Sequence, residues 1–449
     1  MMWYLILCFL PCMVRCSSVL YYQPEQVHIA FGNTTLQIVV TWTTFSDTPD
    51  SIVEYGIDGL ILKVKGSSNK FVDGGPHKHT QYIHRVTLNN LAPDSKYFYH
   101  CGSDLGWSNL FWFKTTPAGN SWSPHLVIYG DMGNENAQSL ARLQEETQMG
   151  LYDAVLHVGD FAYDMDTDNG RIGDEFMRQI EPVAAYLPYM TCPGNHEEAY
   201  NFSHYRERFS MPGGRQSVSY SFDIGPMHII SISTELYYFI NYGFKSVVFQ
   251  YEWLVDDLVK ANLPENREKH PWIIVMGHRP MYCSNNNTDD CTHHETLTRV
   301  GLPFLHFFGL EDLFYNYGVD LEIWAHEHSY ERLWPIYNYQ IFNGSYETPY
   351  TNPKAPVHFV TGSAGCREGT DGFNARPPWS AFSSRDYGYT RLKVFNNTHI
   401  YWEQVSDDKQ GQIIDSVWLI KDSHGSYPNS KIDWQRVEEM RLKNFNKID

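Results

Sequence analysis

Basic residues are scarce in this 449-residue chain: 34 Lys and Arg stand against 52 Asp and Glu, for a formal net charge of -18. No run of Lys or Arg offers a nucleic-acid footprint. An acidic body repels polyanions, so a phosphorylated ligand needs a local source of positive charge, which a metal pair supplies. Cysteine is sparse as well. Of the eight, Cys8, Cys12 and Cys16 sit at the extreme N-terminus, leaving Cys101, Cys192, Cys283, Cys291 and Cys366. No C-x-x-C pair occurs among these, which argues against a cysteine zinc site. Their odd number leaves at least one thiol unpaired within the chain, and Cys283 and Cys291, flanking a polar loop, are the easiest to bridge. Beyond the N-terminus no stretch is long and apolar enough for a transmembrane helix. The C-terminal MRLKNFNKID lacks the hydrophobic tail of a GPI signal. There is no fixed-period repeat and no long low-complexity tract.

What is present is ample core material, with 42% hydrophobic and 15% aromatic residues. The length suits two domains. The apolar run Met1–Leu10 is too short to span a bilayer and is followed by the small residues Cys16, Ser17 and Ser18. Residues 1–18 are therefore expected to be a signal peptide, although the n-region carries no Lys or Arg. Sequons at Asn33, Asn201, Asn286, Asn343 and Asn396 agree with a secreted, extracellular or lumenal glycoprotein.

From residue 22 to 117 the pattern is all-β. Short runs such as LQIVVTW, SIVEYGI, YIHRVTL, KYFYHCG and LFWFKTT alternate with turn residues, the rhythm of a β-sandwich. The stretch LAPDSKYFY, with Tyr97 and Tyr99, resembles the tyrosine-bearing loop and strand of fibronectin type III domains. His77 and His79 lie in a Gly/Pro-rich turn and read as solvated loop residues rather than metal ligands. After a linker at Pro117–Pro124, apolar runs alternate with longer helical stretches, as in layered α/β folds. One such stretch is NENAQSLARLQEETQ, whose Ala137, Leu140, Ala141 and Leu143 are expected to face the core. This second region runs over 123–420 and is followed by a tail at 421–449.

The chemistry lies in a repeated position. Five times an apolar run stops and a metal-ligand type follows at once: HLVIY into Gly130-Asp131, AVLHV into Gly159-Asp160 with Tyr163, LPYMTCP into Gly194-Asn195-His196-Glu197, WIIVM into Gly277-His278, and VDLEIW into Ala325-His326-Glu327-His328. In α/β sheets, ligands gather beyond the C-terminal ends of strands. Any one motif alone would be a turn or a loop, but the ordered set of five points Asp131, Asp160, Tyr163, Asn195, His278, His326 and His328 at one place. Carboxylate, amide oxygen and imidazole suit iron, zinc or manganese. The set is too large for a single tetrahedral zinc and suits two ions sharing a carboxylate.

The order Gly-Asp-x-Gly, Gly-Asp-x-x-Tyr, Gly-Asn-His-Glu, Gly-His and His-x-His-x-Tyr-Glu-Arg resembles the purple acid phosphatases within the calcineurin-like metallophosphoesterases. The stretches LPYMTCPGNHEE, GHRPMYCS and AHEHSYERLWPIYNY are similar to the long, plant-like form found in animals, the iron/zinc purple acid phosphatase-like group. The resemblance implies an all-β, fibronectin-III-like N-terminal domain at 22–117. It implies a layered α/β/β/α metallophosphoesterase domain at 123–420, acting as a secreted acid phosphatase on phosphate monoesters through metal-activated hydroxide. It further implies that Asp131, Tyr163 and His328 hold Fe(3+). Asn195, His278 and His326 then hold a divalent ion (Zn, Fe or Mn), with Asp160 bridging. His196 would serve as catalytic acid or phosphate-binding cation. His294, beside His293 in CTHHET, resembles a pocket histidine of the family. Glu197, Glu327 and Glu331 are candidates to orient imidazoles. Two departures from the plant wording are Ala325, where Gly usually precedes the histidine, and Arg279 after His278. No membrane anchor and no nucleic-acid partner are implied, and the oligomeric state stays open. Two other readings remain: a phosphodiesterase or nucleotidase with two divalent ions on the same scaffold, which Tyr163 opposes, and a binding protein with a vestigial site, which the complete set of seven opposes.

Overall fold

The computed structural model describes residues 19–213, 218–304, 306–431 and 435. The signal peptide expected at residues 1–18 lies outside the described residues, as does most of the segment after 431.

The first domain forms two antiparallel sheets because its β-branched and aromatic residues alternate between core and solvent. One sheet orders the strands Glu25–Phe31, Ile38–Thr44, Thr80–Leu88 and Ser67–Val72. The other is centred on Ile52–Gly56 and Lys96–Ser103, flanked by Leu62–Lys65, Gly106–Trp107 and Phe111–Lys114. Val40, Trp42, Tyr99 and Phe113 are buried between them. The Tyr97 hydroxyl accepts the Ala92 N–H at 2.9 Å, a tyrosine corner of the kind that fastens such sandwiches. His77 is exposed and His79 faces Asp174 at 3.5 Å.

A buried polar seam joins this domain to the next. Arg208, 2% exposed, donates to Asp174 at 2.8 Å and to Gln26 at 3.1 Å. His204 meets Asp73 at 2.8 Å, and the Val27 N–H donates to Glu181 at 2.8 Å. Buried charges of this kind persist only as satisfied sets, since removing one partner strands the other.

The second domain is built on two further sheets. One orders Tyr189–Cys192, Ala154–Val158, His125–Tyr129, Gly388–Asn396, His399–Ser406 and Gln412–Ile420, with the first three strands parallel. The other orders Tyr220–Ile224, Met227–Ser231, Trp272–Met276, Leu321–Trp324, Val357–Thr361, Tyr330–Leu333 and Ser380–Ser384, with Met227–Ser231 through Val357–Thr361 parallel. The sheets face each other. Phe359 stacks on Trp402 at 3.7 Å between ring centroids, and the Tyr220 hydroxyl donates to the Thr191 carbonyl at 2.8 Å. Helices Leu140–Gln148, Arg171–Ala184 and Phe244–Ala261 complete the layers. The layered α/β class with a leading β-sandwich is therefore the observed architecture.

The first of these helices corrects one reading. It begins only at Leu140, and it buries Leu143, Glu146 and Thr147 while Ala141 is exposed. The Asn136 φ of 60° ends the helical path upstream, and Arg391 draws Glu146 inward. Residues after 420 begin packed rather than free: Lys421 is buried against Asp320, and the Tyr427 hydroxyl donates to the Val319 carbonyl at 2.8 Å.

Candidate metal centre

The five strands that end in ligand-type residues are shared between the two sheets. His125–Tyr129, Ala154–Val158 and Tyr189–Cys192 deliver Asp131, Asp160 with Tyr163, and Asn195. Trp272–Met276 and Leu321–Trp324, from the facing sheet, deliver His278 and His326 with His328. All seven meet where the two sheets' C-terminal strand ends converge. The turns are strained: Asp131, Asp160, Tyr163 and His326 have φ of 57°, 50°, 57° and 70°. Non-glycine residues in this region cost roughly 1–3 kcal/mol each and persist where the surroundings enforce them, typically at functional sites. Ala325, by contrast, has no positive φ and donates its N–H to the His278 carbonyl at 2.9 Å. The alanine therefore costs the turn nothing.

The donors fall into two groups. In the first, the Tyr163 hydroxyl stands 2.7 Å from His328 Nε2 and 3.4 Å from Asp131 Oδ1, and His328 Nε2 stands 3.6 Å from the same Asp131 oxygen. In the second, His278 Nε2 lies 3.1 Å from Asn195 Oδ1, 3.1 Å from Asp160 Oδ2 and 3.2 Å from His326 Nδ1. The groups are tied together, because the His326 N–H donates to Asp131 Oδ2 at 3.0 Å, while the His196 N–H holds Asp160 Oδ1 at 3.0 Å. A single ring nitrogen carries one proton or one lone pair, so His278 Nε2 cannot satisfy three inward-facing neighbours at once. A cation in their midst can, and in that sense the residues fit a metal. The two buried carboxylates differ: burial drives the Asp131 carboxyl well up, so its charged form calls for a cation beside it. Burial would raise Asp160, but the charge and hydrogen bond of His278 outweigh it and hold the carboxyl low. Burial, and then the charges of Asp131 and Asp160, push the Tyr163 phenol well up, so its phenolate requires a strong positive charge beside it.

The outer shell holds these donors by their backs. His278 Nδ1 faces the Val158 carbonyl at 2.9 Å. The His328 N–H donates to Asp371 at 2.6 Å. Glu197 is buried and accepts three backbone N–H groups, from Asp160 at 2.9 Å, Phe161 at 3.0 Å and Gly194 at 2.8 Å. It therefore shapes the ligand loops, and among the described residues its hydrogen bonds go to backbone N–H groups rather than to an imidazole. Glu331 accepts from Ser284 and Ser380, and Glu327 accepts the Asn287 amide at 2.8 Å. His196 borders the first group, its ring 4.4 Å from that of Tyr163. Its Nδ1 pairs with Asp164 at 2.8 Å, and Asp164 in turn accepts from Arg367 at 3.0 Å. Burial opposes charge on His196, but Asp164 and Asp160 outweigh it and lift its pKa to about 9.

His294 is not brought to the centre. Its ring stacks on Tyr339 at 4.5 Å, and it lines a separate cavity of about 830 Å³ with Arg299, Glu311 and Phe307. The loop just before it, closed by the Cys283–Cys291 disulfide, presents Asp289 and Asp290 to the centre instead. Arg279 also stands there, 3.0 Å from His326 Nε2 and paired with Glu235 at 2.9 Å. Sequence reasoning gave no role at the centre to Arg279, noted only as a departure beside His278, or to Asp289, Cys366 and Asp371. Arg279 is adjacent to a ligand motif and was findable. Cys366, 3.4 Å from His328 Nδ1 with a φ of 70°, carried no signal.

Three family models match the chain: "Purple acid Phosphatase, N-terminal domain" over 24–115, "Calcineurin-like phosphoesterase" over 124–330 and "Iron/zinc purple acid phosphatase-like protein C" over 355–416. The chain is 58% identical over 415 residues to "Acid phosphatase type 7" of Danio rerio, covering 90% of this chain and 92% of that protein. It is 30% identical over 424 residues to "Fe(3+)-Zn(2+) purple acid phosphatase 12" of Arabidopsis thaliana, covering 88% and 84%. Among solved structures it is similar to the purple acid phosphatase PPD1 of yellow lupin seeds. There the TM-score is 0.75 at 27% identity, with 89% of this chain and 75% of that one covered.

Proposed function

This chain belongs to the purple acid phosphatase family, and from that premise we propose that it is a secreted acid phosphatase that hydrolyses phosphate monoesters at a paired Fe(3+)–divalent centre. The observation that carries the reading is the division of donors. A phenol, a carboxylate and an imidazole (Tyr163, Asp131, His328) stand apart from an amide and two imidazoles (Asn195, His278, His326). A phenolate is a hard, strongly donating anion and suits iron(III), while amide and imidazole suit zinc, iron or manganese as divalent ions. Asp160, whose Oδ2 lies 3.1 Å from His278 Nε2, would be the carboxylate that the two ions share. When bound, the ion pair acidifies water and neutralises phosphate oxygens.

The chain's own residues supply the rest. Glu197 fixes the loops of Asp160 and Gly194, so the carboxylate and amide are preorganised. His196 holds a proton at the edge of the centre, oriented by Asp164, and Arg367 offsets the charge of Asp164. That arrangement suits protonation of a leaving alkoxide. Metal analysis with a visible spectrum tests the assignment. The wild-type protein should carry iron with one divalent ion and show a tyrosinate-to-iron band. Tyr163→Phe should lose that band while the fold persists. A colourless wild type holding two divalent ions would instead favour the phosphodiesterase or nucleotidase class.

Secretion is supported by the Cys283–Cys291 disulfide, which belongs to an oxidising compartment, and by the exposed sequon residues Asn33, Asn286 and Asn396. Among the described residues no helix is long and apolar enough to cross a membrane. Protein sequencing of secreted material should start near residue 19, and a chain beginning at Met1 would refute the leader.

A further inference from the structure

The two histidines of the divalent group are held from behind in different ways. His278 Nδ1 faces a neutral backbone carbonyl, that of Val158, at 2.9 Å. His326 turns Nδ1 toward His278 Nε2 at 3.2 Å, and its other nitrogen, Nε2, meets the Asp289 carboxylate at 2.9 Å. An imidazole that gives a lone pair to a metal at one nitrogen carries its proton on the other, and a carboxylate there fixes the tautomer and raises ligand basicity. Among the described residues, Asp289 and Arg279 Nη1, the latter at 3.0 Å, stand at hydrogen-bond distance from His326 Nε2, and an Asp290 carboxylate oxygen lies within 4.8 Å of a His326 ring nitrogen. Arginine only donates, so it cannot receive the imidazole proton. Its guanidinium is committed elsewhere, to Glu235 at 2.9 Å and to Asp290. The proton on Nε2 therefore goes to Asp289.

Asp289 is itself built into place. Its Oδ1 accepts the Asp290 N–H at 2.6 Å, and its carbonyl accepts the Thr292 N–H at 2.9 Å. The loop that bears it is closed by the Cys283–Cys291 disulfide and anchored where the Ser284 N–H donates to buried Glu331 at 2.9 Å.

We infer that Asp289 is a positioning residue for the divalent half of the centre: it locks His326 in the Nε2–H tautomer and so tightens the hold on the divalent ion without touching ion or substrate. The inference rests on the binuclear reading above. Iron binding should be indifferent to it, because Tyr163, Asp131 and His328 have their own partners.

The test uses the full-length, iron-loaded protein and Asp289→Asn, which keeps the shape of the side chain and removes its charge. Zinc affinity is read by competition with a chelator of known affinity, and the iron band is read in the visible. Loss of an outer partner of a ligating histidine weakens metal binding by roughly 10–100-fold, so zinc should weaken by that factor while the band stays in place. Asp290→Asn is the control. It removes the same charge from the same rim, but Asp290 is paired to Arg279 and has no hydrogen bond to His326, so zinc should weaken far less than in Asp289→Asn. Wild-type zinc affinity in Asp289→Asn would overturn the inference. Equal weakening in both variants would also overturn it, since bare charge would then explain the effect, and so would loss of the iron band along with the zinc. Failure of the wild type to bind any metal would instead strike the binuclear reading itself.

Discussion

Gly194→Ala is expected to lower turnover of an aryl phosphate by at least about 10²-fold, on the scale that misplacing a catalytic constellation by an ångström costs. Backbone freedom is not the reason, because Gly194 has a φ of -101°, which alanine adopts freely. Space is the reason: a Cβ at this position would sit 2.1 Å from Asp160 Oδ1 and 2.5 Å from the Asp160 nitrogen. Neither can move cheaply. The Asp160 nitrogen donates to Glu197 at 2.9 Å, and Oδ1 accepts the His196 N–H at 3.0 Å. The methyl group would therefore push the shared carboxylate out of register with both donor groups, and both metals should be lost with activity. Metal content per chain and turnover, measured on the same preparation, check this. A Gly194→Ala protein with two metals and full turnover would mean that Asp160 does not occupy the centre.

Much of this site was legible because its signal is positional. A parallel strand buried on both faces reads as an unbroken apolar run, and a ligand-bearing loop must break that run with glycine and a polar residue. The same uniformity concealed the partition. AVLHV and WIIVM look alike, yet they lie in different sheets, and only pairing partners far along the chain decide which. The leading sandwich showed its aromatic strands, but Leu62–Lys65 and Ser67–Val72 went unread because they are mostly exposed and polar. The interdomain seam of Arg208, Asp174 and Gln26 spans up to 182 positions and has no local signature. The surroundings of His294 were hidden for a related reason. Resemblance to a pocket histidine singled it out, but it lies just past the disulfide-closed loop, and that loop presents Asp289 to His326. What a partner does through backbone N–H groups is invisible to reasoning from residue types, because every residue offers the same donor: Glu197 was singled out but for the wrong contact, and Asp371 was not seen at all.

Asn195 and His196 are neighbours that should fail in opposite ways. The Asn195 amide oxygen faces His278 Nε2 at 3.1 Å, inside the divalent donor group. The His196 side chain points away from that group, to Asp164, and only its backbone N–H reaches Asp160. Asn195→Ala removes a ligand and should lower divalent content and activity on every substrate alike. His196→Ala keeps its backbone N–H, so both metals should stay. What is lost is a proton poised at the edge of the centre, and that loss depends on the leaving group. General acid catalysis contributes roughly 10²–10⁴-fold. The drop in kcat should approach that range for alkyl phosphates, whose alkoxides leave poorly, and should be much smaller for aryl phosphates that depart unprotonated. If His196 only gripped the phosphate, KM would rise for both substrates by the same factor with kcat preserved. Equal losses of kcat on both, together with reduced metal content, would instead place His196 among the residues that hold the ions and remove it as the acid.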